Sequence, residues 1–100
     1  LRPPAGNGYA EYVTAAAMRT YHLSDGLAYP EAAAVSRHFP MAYSLCRAAS
    51  VGNDQWVLVM GAAGSLGAAA VQVAKHFGAN VIAAAGSDFT GLSARAQGCF

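Results

Sequence analysis

The sequence has little charge, few cysteines and no long uninterrupted apolar run. Charged residues make up 11% of the 100, six Lys+Arg against five Asp+Glu, and no Lys/Arg cluster appears. That balance lacks the basic footprint of a nucleic-acid binder, and no nucleic-acid partner is expected. With 55% hydrophobic residues the chain is also too apolar to stay disordered. Its apolar stretches are broken by Gly, Asp, Lys or Arg within about a dozen residues, short of the roughly 20 that a spanning helix needs. No membrane segment is expected. Two cysteines, Cys46 and Cys99, cannot build the disulfide framework of a secreted domain, so a reduced, cytoplasmic setting is expected. The chain opens without Met and shows no signal-peptide pattern, and both ends read as cut.

What is abundant is alanine, with 24 residues and clusters at Ala15–Ala17, Ala32–Ala34, Ala68–Ala70 and Ala83–Ala85. Small side chains let backbones approach closely but bury little area each, so the core should be thin. Tyr9 to Thr14 alternates and is rich in aromatic and β-branched residues, which predicts a strand. Between Ala15 and Ser24 the pattern fits one helical turn and a short strand around Thr20–Leu23, closed by the Asp25-Gly26 turn. Pro30-Glu31 opens a helix to about Arg37. Pro40 predicts a break, with a second helix from about Met41 to Ala49.

The second half carries a sharper pattern. Gln55 to Met60 is a continuous apolar run, the mark of a strand buried on both faces of a parallel sheet. A glycine-rich turn follows, then a helix from about Ser65 to Phe77 with Leu66, Ala70, Val73 and Phe77 on one face. Gly78 stops it. Asn80 to Ala85 reads as a second buried strand, and Phe89 to Gln97 as a further helix. Strand, glycine turn, helix, strand is the opening of a doubly wound α/β sheet.

The turn Ala62-Ala63-Gly64-Ser65-Leu66-Gly67 resembles the fingerprint Gly-x-Gly-x-x-Gly, with Ala62 in place of the first glycine. Gly64 would let a pyrophosphate approach the backbone, and Gly67 would let the helix pack on the strand. The amides of Ser65, Leu66 and Gly67 at the helix start form an anion site that needs no charged side chain. A Walker loop is excluded, since no lysine follows Gly67. A structural turn, or a nucleoside site of the methyltransferase kind, stays open on the motif alone. The second strand ends on Ala85, Gly86 and Ser87, without the carboxylate that receives the ribose hydroxyls of NAD; that favours NADPH over NADH.

Several stretches carry a wider likeness: Gly8-Tyr9-Ala10-Glu11-Tyr12-Val13, Asp25-Gly26-Leu27, Glu31-Ala32-Ala33-Ala34, Trp56-Val57-Leu58-Val59, Gly61 to Gly67, Ala69 to Lys75 and Gly86-Ser87-Asp88. In that order and spacing the chain resembles the medium-chain dehydrogenase/reductase superfamily, and within it the zinc-independent quinone oxidoreductase branch related to zeta-crystallin. The resemblance implies the end of a GroES-like, β-rich catalytic domain at residues 1–29 and connecting helices at the domain cleft at 30–51. It implies the N-terminal part of an NAD(P)-binding Rossmann domain at 52–100. It implies an NADPH-dependent, zinc-independent enzyme that passes a hydride to a quinone or an α,β-unsaturated carbonyl, homodimeric when full length, with this portion inactive alone. Cofactor contacts would come from Ala63, Gly64, Ser65, Leu66 and Gly67 at the pyrophosphate. Gly86, Ser87 and Thr90 would lie at the adenosine phosphate, and Met41 near the nicotinamide. Thr90 stands where the family often has Lys, and Met41 where it often has Thr. Two other readings remain: an enoyl-reductase module of a larger synthase, and a non-catalytic nucleotide-binding protein of the lens-crystallin kind.

No catalytic acid or base is assigned. His22, His38 and His76 show no ligand spacing and read as surface or structural; no metal site is expected. Cys46 reads as a small buried hydrophobe in a helix. Tyr9, Tyr12, Tyr43 and Trp56 read as strand and interface packing, with Tyr43 the one to examine at the cleft.

Overall fold

Local signals agree most closely after residue 50, and there the chain builds a β-α-β unit. A computed structural model describes residues 8–86. The order is a single 3-10 turn at Ala17–Arg19, α1 (Tyr29–Ser36), α2 (His38–Ala48), β1 (Trp56–Met60), α3 (Ser65–His76) and β2 (Asn80–Ala84). The two strands pair in parallel, Trp56 opposite Asn80 through Met60 opposite Ala84. The chain is therefore α/β and opens a Rossmann sheet, as its pattern predicts. The expectations for Ser87, Thr90, Cys99 and a helix from Phe89 fall outside the described residues.

Each helix end has a local cause. Pro30 sits in the first turn of α1, where an N–H would be an orphan, and the Glu31 carboxylate accepts the Ala28 N–H at 3.3 Å. α2 begins at His38, ahead of the expected start at Met41, because Pro40 falls within its first turn and costs no hydrogen bond there. α3 ends in a Schellman closure. The Gly78 N–H donates to Lys75 O at 2.9 Å and the Ala79 N–H to Ala74 O at 3.1 Å, with Gly78 at φ +83°. α2 closes the same way through Ser50 and Val51, but there the left-handed residue is Ser50, at φ +53°.

α3 lies between the sheet and α2. The expected face of Leu66, Ala70, Val73 and Phe77 is at least half-buried, and Ala69, Val71 and Ala74 are fully covered as well. Two packed sides explain the wider burial. Ala42 and Cys46, one turn apart on α2, join the same core as Val59, Ala62, Ala79 and Val81. The interior is made of alanine, valine and one cysteine, so its cohesion comes from close backbone approach more than from area per side chain.

Two expectations are corrected. The apolar run of β1 predicts cover on both faces, yet among the described residues only Val57 and Val59 turn towards α3. Trp56, Leu58 and Met60, joined by Ile82 of β2, remain exposed on the other face, because no described element lies across it. No strand forms at Tyr9–Thr14 or at Thr20–Leu23. The alternation is real, but a strand needs a neighbour for its N–H and C=O groups, and no described segment runs beside it. Only the helical turn and the Asp25-Gly26 turn appear there, the latter with Gly26 at φ +88° and the Leu27 N–H bonded to Ser24 O at 3.2 Å.

Candidate functional site

The glycine turn lies at the C-terminal end of β1, beside the C-terminal end of β2, where open α/β sheets place their ligands. The Ala62 N–H donates to Ala84 O at 3.0 Å, so one main-chain bond joins the turn to the end of β2. Within the turn the Gly64 N–H donates to Gly61 O at 2.9 Å. Gly64 caps α3, and the first rung of the helix is Ala68 N–H to Gly64 O at 2.8 Å. The amides of Ser65, Leu66 and Gly67 therefore precede the ladder. A glycine cap has no side-chain oxygen to receive them, and the helix dipole adds partial positive charge.

The two fingerprint glycines do different work. Gly67 is a packing residue: a Cβ there would come within 2.8 Å of Ala62 Cα and of Gly61 C. Gly64 is not required by the backbone, since φ −75° and ψ 163° suit any residue. A Cβ at 64 would meet only the Gly61 carbonyl oxygen, at 3.3 Å. Gly61, Ala63, Gly64 and Ser65 are exposed, so no side chain of the described chain fills this corner. A missing Cβ without a conformational cause, beside three open amides, fits a pyrophosphate brought against the main chain.

Ala62 does not act as the fingerprint's first glycine. It is 2% exposed with its methyl in the core, while the left-handed residue of the bend is Gly61, at φ +66°. Gly61 is the bend residue that the motif alignment missed. The three-residue glycine spacing Gly61, Gly64, Gly67 is the signal that would have pointed to it.

Of the other cofactor candidates, Ala63 to Gly67 are brought together on one corner, and Gly86 lies exposed two residues beyond β2. Met41 is half-exposed on α2 and shares no hydrogen bond or ring contact with the turn. Tyr43 sits two residues further along α2, about 200° around the helix. Its ring packs on Phe77, with centroids 5.4 Å apart, at the end of α3 away from the glycine turn. Its role is packing. His22 and His76 are exposed, and His38 begins α2 half-buried. Among the described residues no group of three or more His, Cys, Asp or Glu side chains is placed to hold a metal. Cys46 is buried and burial pushes its thiol up from the ordinary value, so it is a core residue and not an activated nucleophile. No helix of the described residues is long and apolar enough to cross a membrane.

Known proteins give the same direction. No protein-family model matches the chain. A quinone oxidoreductase of Pongo abelii is 39% identical over 82 residues, 81% of this chain and 25% of that protein. A quinone oxidoreductase from Thermus thermophilus, solved also in complex with NADPH, superposes at a TM-score of 0.64 with 44% identity, over 68% of this chain and 23% of that one. A highly reducing polyketide synthase of Gibberella zeae is 43% identical over 70 residues, 69% of this chain and 3% of that protein. The chain thus spans about a quarter of the length of the quinone oxidoreductases it matches. With the parallel β-α-β unit and its glycine corner, these likenesses establish that the chain belongs to the quinone oxidoreductase-like branch of the medium-chain dehydrogenase/reductase superfamily, a family of oxidoreductase enzymes.

Proposed function

We propose that this chain supplies the pyrophosphate-binding corner of an NADPH-dependent oxidoreductase acting on a small quinone or α,β-unsaturated carbonyl. The observation that carries the reading is the corner itself: three amides ahead of the first rung of α3, at an exposed turn, beside a glycine whose φ and ψ suit any residue. Ser65, Leu66 and Gly67 hold the anion through main-chain N–H groups, and Ala63 and Gly64 form the surface it lies on. Gly86, Ser87 and Thr90 are assigned to the adenosine phosphate, and Met41 to the nicotinamide side. When bound, NADPH supplies the hydride; with one proton from solvent, the acceptor gains two electrons and two hydrogens. The chain's own residues orient and anchor, and none is assigned as acid or base.

The reading includes the division at 1–29, 30–51 and 52–100, with a GroES-like catalytic domain before the Rossmann portion. It also includes a zinc-independent, cytoplasmic, homodimeric parent protein. The polyketide synthase likeness favours a second reading, an enoyl-reductase module embedded in a longer chain; the sequence flanking residues 1 and 100 separates the two. A third, non-catalytic reading fails if the intact protein turns over NADPH with a quinone.

Gly64→Ala tests the corner. The backbone tolerates alanine there, so the thermal midpoint should hold while NADPH affinity falls by about tenfold or more, roughly 1.4 kcal/mol. Titration followed by the Ser65–Gly67 amide resonances reads this even for weak binding. Equal affinity in the folded variant would remove the assignment.

A further inference from the structure

We propose that the Asp25-Gly26 turn is a site of spontaneous covalent change, in which the peptide bond after Asp25 migrates to the side chain and leaves an isoaspartyl linkage. The inference is independent of the dinucleotide reading. Asp25 is the one aspartate of the sequence that glycine follows. A glycine amide carries no neighbouring Cβ to hinder its attack on the carboxyl carbon of the residue before it. The structure adds the freedom that this attack needs. Ser24, Asp25, Gly26 and Leu27 are all exposed, and a Cβ built on Gly26 meets nothing within 4 Å. Among the described residues nothing holds the Asp25 carboxylate, and the Gly26 N–H donates to no acceptor. One bond closes the turn, Leu27 N–H to Ser24 O at 3.2 Å, so opening it costs little.

The step balances with water alone. The Gly26 nitrogen attacks Cγ of the protonated Asp25 carboxyl. The new N–Cγ bond closes a succinimide ring, and the N–H proton leaves with the carboxyl hydroxyl as water. A second water then opens the ring. Breaking the N–Cγ bond restores aspartate. Breaking the bond from that nitrogen to the Asp25 carbonyl carbon leaves the chain running through Cβ and Cγ, with a free carboxylate on Cα. Mass is unchanged, but the main chain is longer by a carbon, so the Leu27–Ser24 closure no longer spans the same ring. That closure stands directly ahead of α1, where the Ala28 N–H donates to the Glu31 carboxylate. The loop before β1 is in the opposite state. Asn53 precedes Asp54 there, but the Asp54 N–H donates to Gly78 O at 3.1 Å, and Asn53 Nδ2 donates to Asp54 Oδ2 at 2.7 Å. The amide that would attack is engaged.

Prolonged incubation of the full chain in mildly acidic buffer, followed by trypsin, tests the proposal. Cleavage after Arg19 and Arg37 isolates residues 20–37, which carry Asp25 apart from Asn7-Gly8. Isoaspartate reads out as a second peptide of equal mass and different retention, and electron-transfer fragmentation breaks the added Cα–Cβ main-chain bond to place it. We expect it to accumulate at Asp25 at a rate within about fivefold of that in the free 20–37 peptide, because the fold does not guard the turn. The product should be lost in Asp25→Glu, whose longer side chain has to close a larger ring, and in Gly26→Val, whose branched side chain shields the nitrogen. Unfolding of either variant would only open the turn further, so the loss keeps its meaning. A rate in the full chain below that range overturns the proposal, since the fold then protects the turn. So does product that persists in Asp25→Glu.

Discussion

Residues 8–28 and residues 38–84 are both apolar and alanine-rich, but they meet different fates. In the first stretch Tyr9, Tyr12 and Met18 are almost fully exposed, and every described residue but Ala16 is exposed. In the second, Ala42, Val71 and Ala74 are completely covered. Composition does not separate the two; the presence of a partner does. α2, β1, α3 and β2 find one another within this chain, whereas the alternation at Tyr9–Thr14 has no described segment beside it to pair with. Sequence periodicity states what a segment can bury, and the fold supplies what it is buried against.

Substitutions sharpen that contrast in order of size. Gly67→Val should cost the most, about 3 kcal/mol or more, because the new side chain meets main-chain atoms of Gly61 and Ala62 that cannot yield; urea unfolding checks it. Val71→Ala removes two carbons from a fully buried site and should cost about 2 kcal/mol by the same measurement. Ser50→Gly should raise stability by about 1 kcal/mol, since it relieves the left-handed closure of α2. Tyr12→Ala should change the unfolding midpoint by less than the equivalent of about 0.5 kcal/mol. A large loss at Tyr12 would mean that the first stretch is packed after all, and the contrast would collapse.

Legibility in the sequence follows the same line. The β1–α3–β2 order, the parallel pairing and the stop at Gly78 were readable because glycine spacing, apolar run and basic last turn all point one way. The glycine turn at the end of β1 and the start of α3 were readable from Gly64 and Gly67. The left-handed bend at Gly61 was not, because letters do not show which residue of a bend takes a positive φ. The start of α2 at His38 was hidden by Pro40, whose effect depends on its place in the first turn. Tyr43, a candidate for the cleft by its letters, packs on Phe77, a distinction that rests on helix phase and the position of α3.

The seam of Ala42 and Cys46 against α3 has a mechanical corollary. Helices joined through such short side chains have no slack to slide, so α2, α3 and the strands travel as one block. A pull on α2 is therefore passed on to α3 and to the amides at its start.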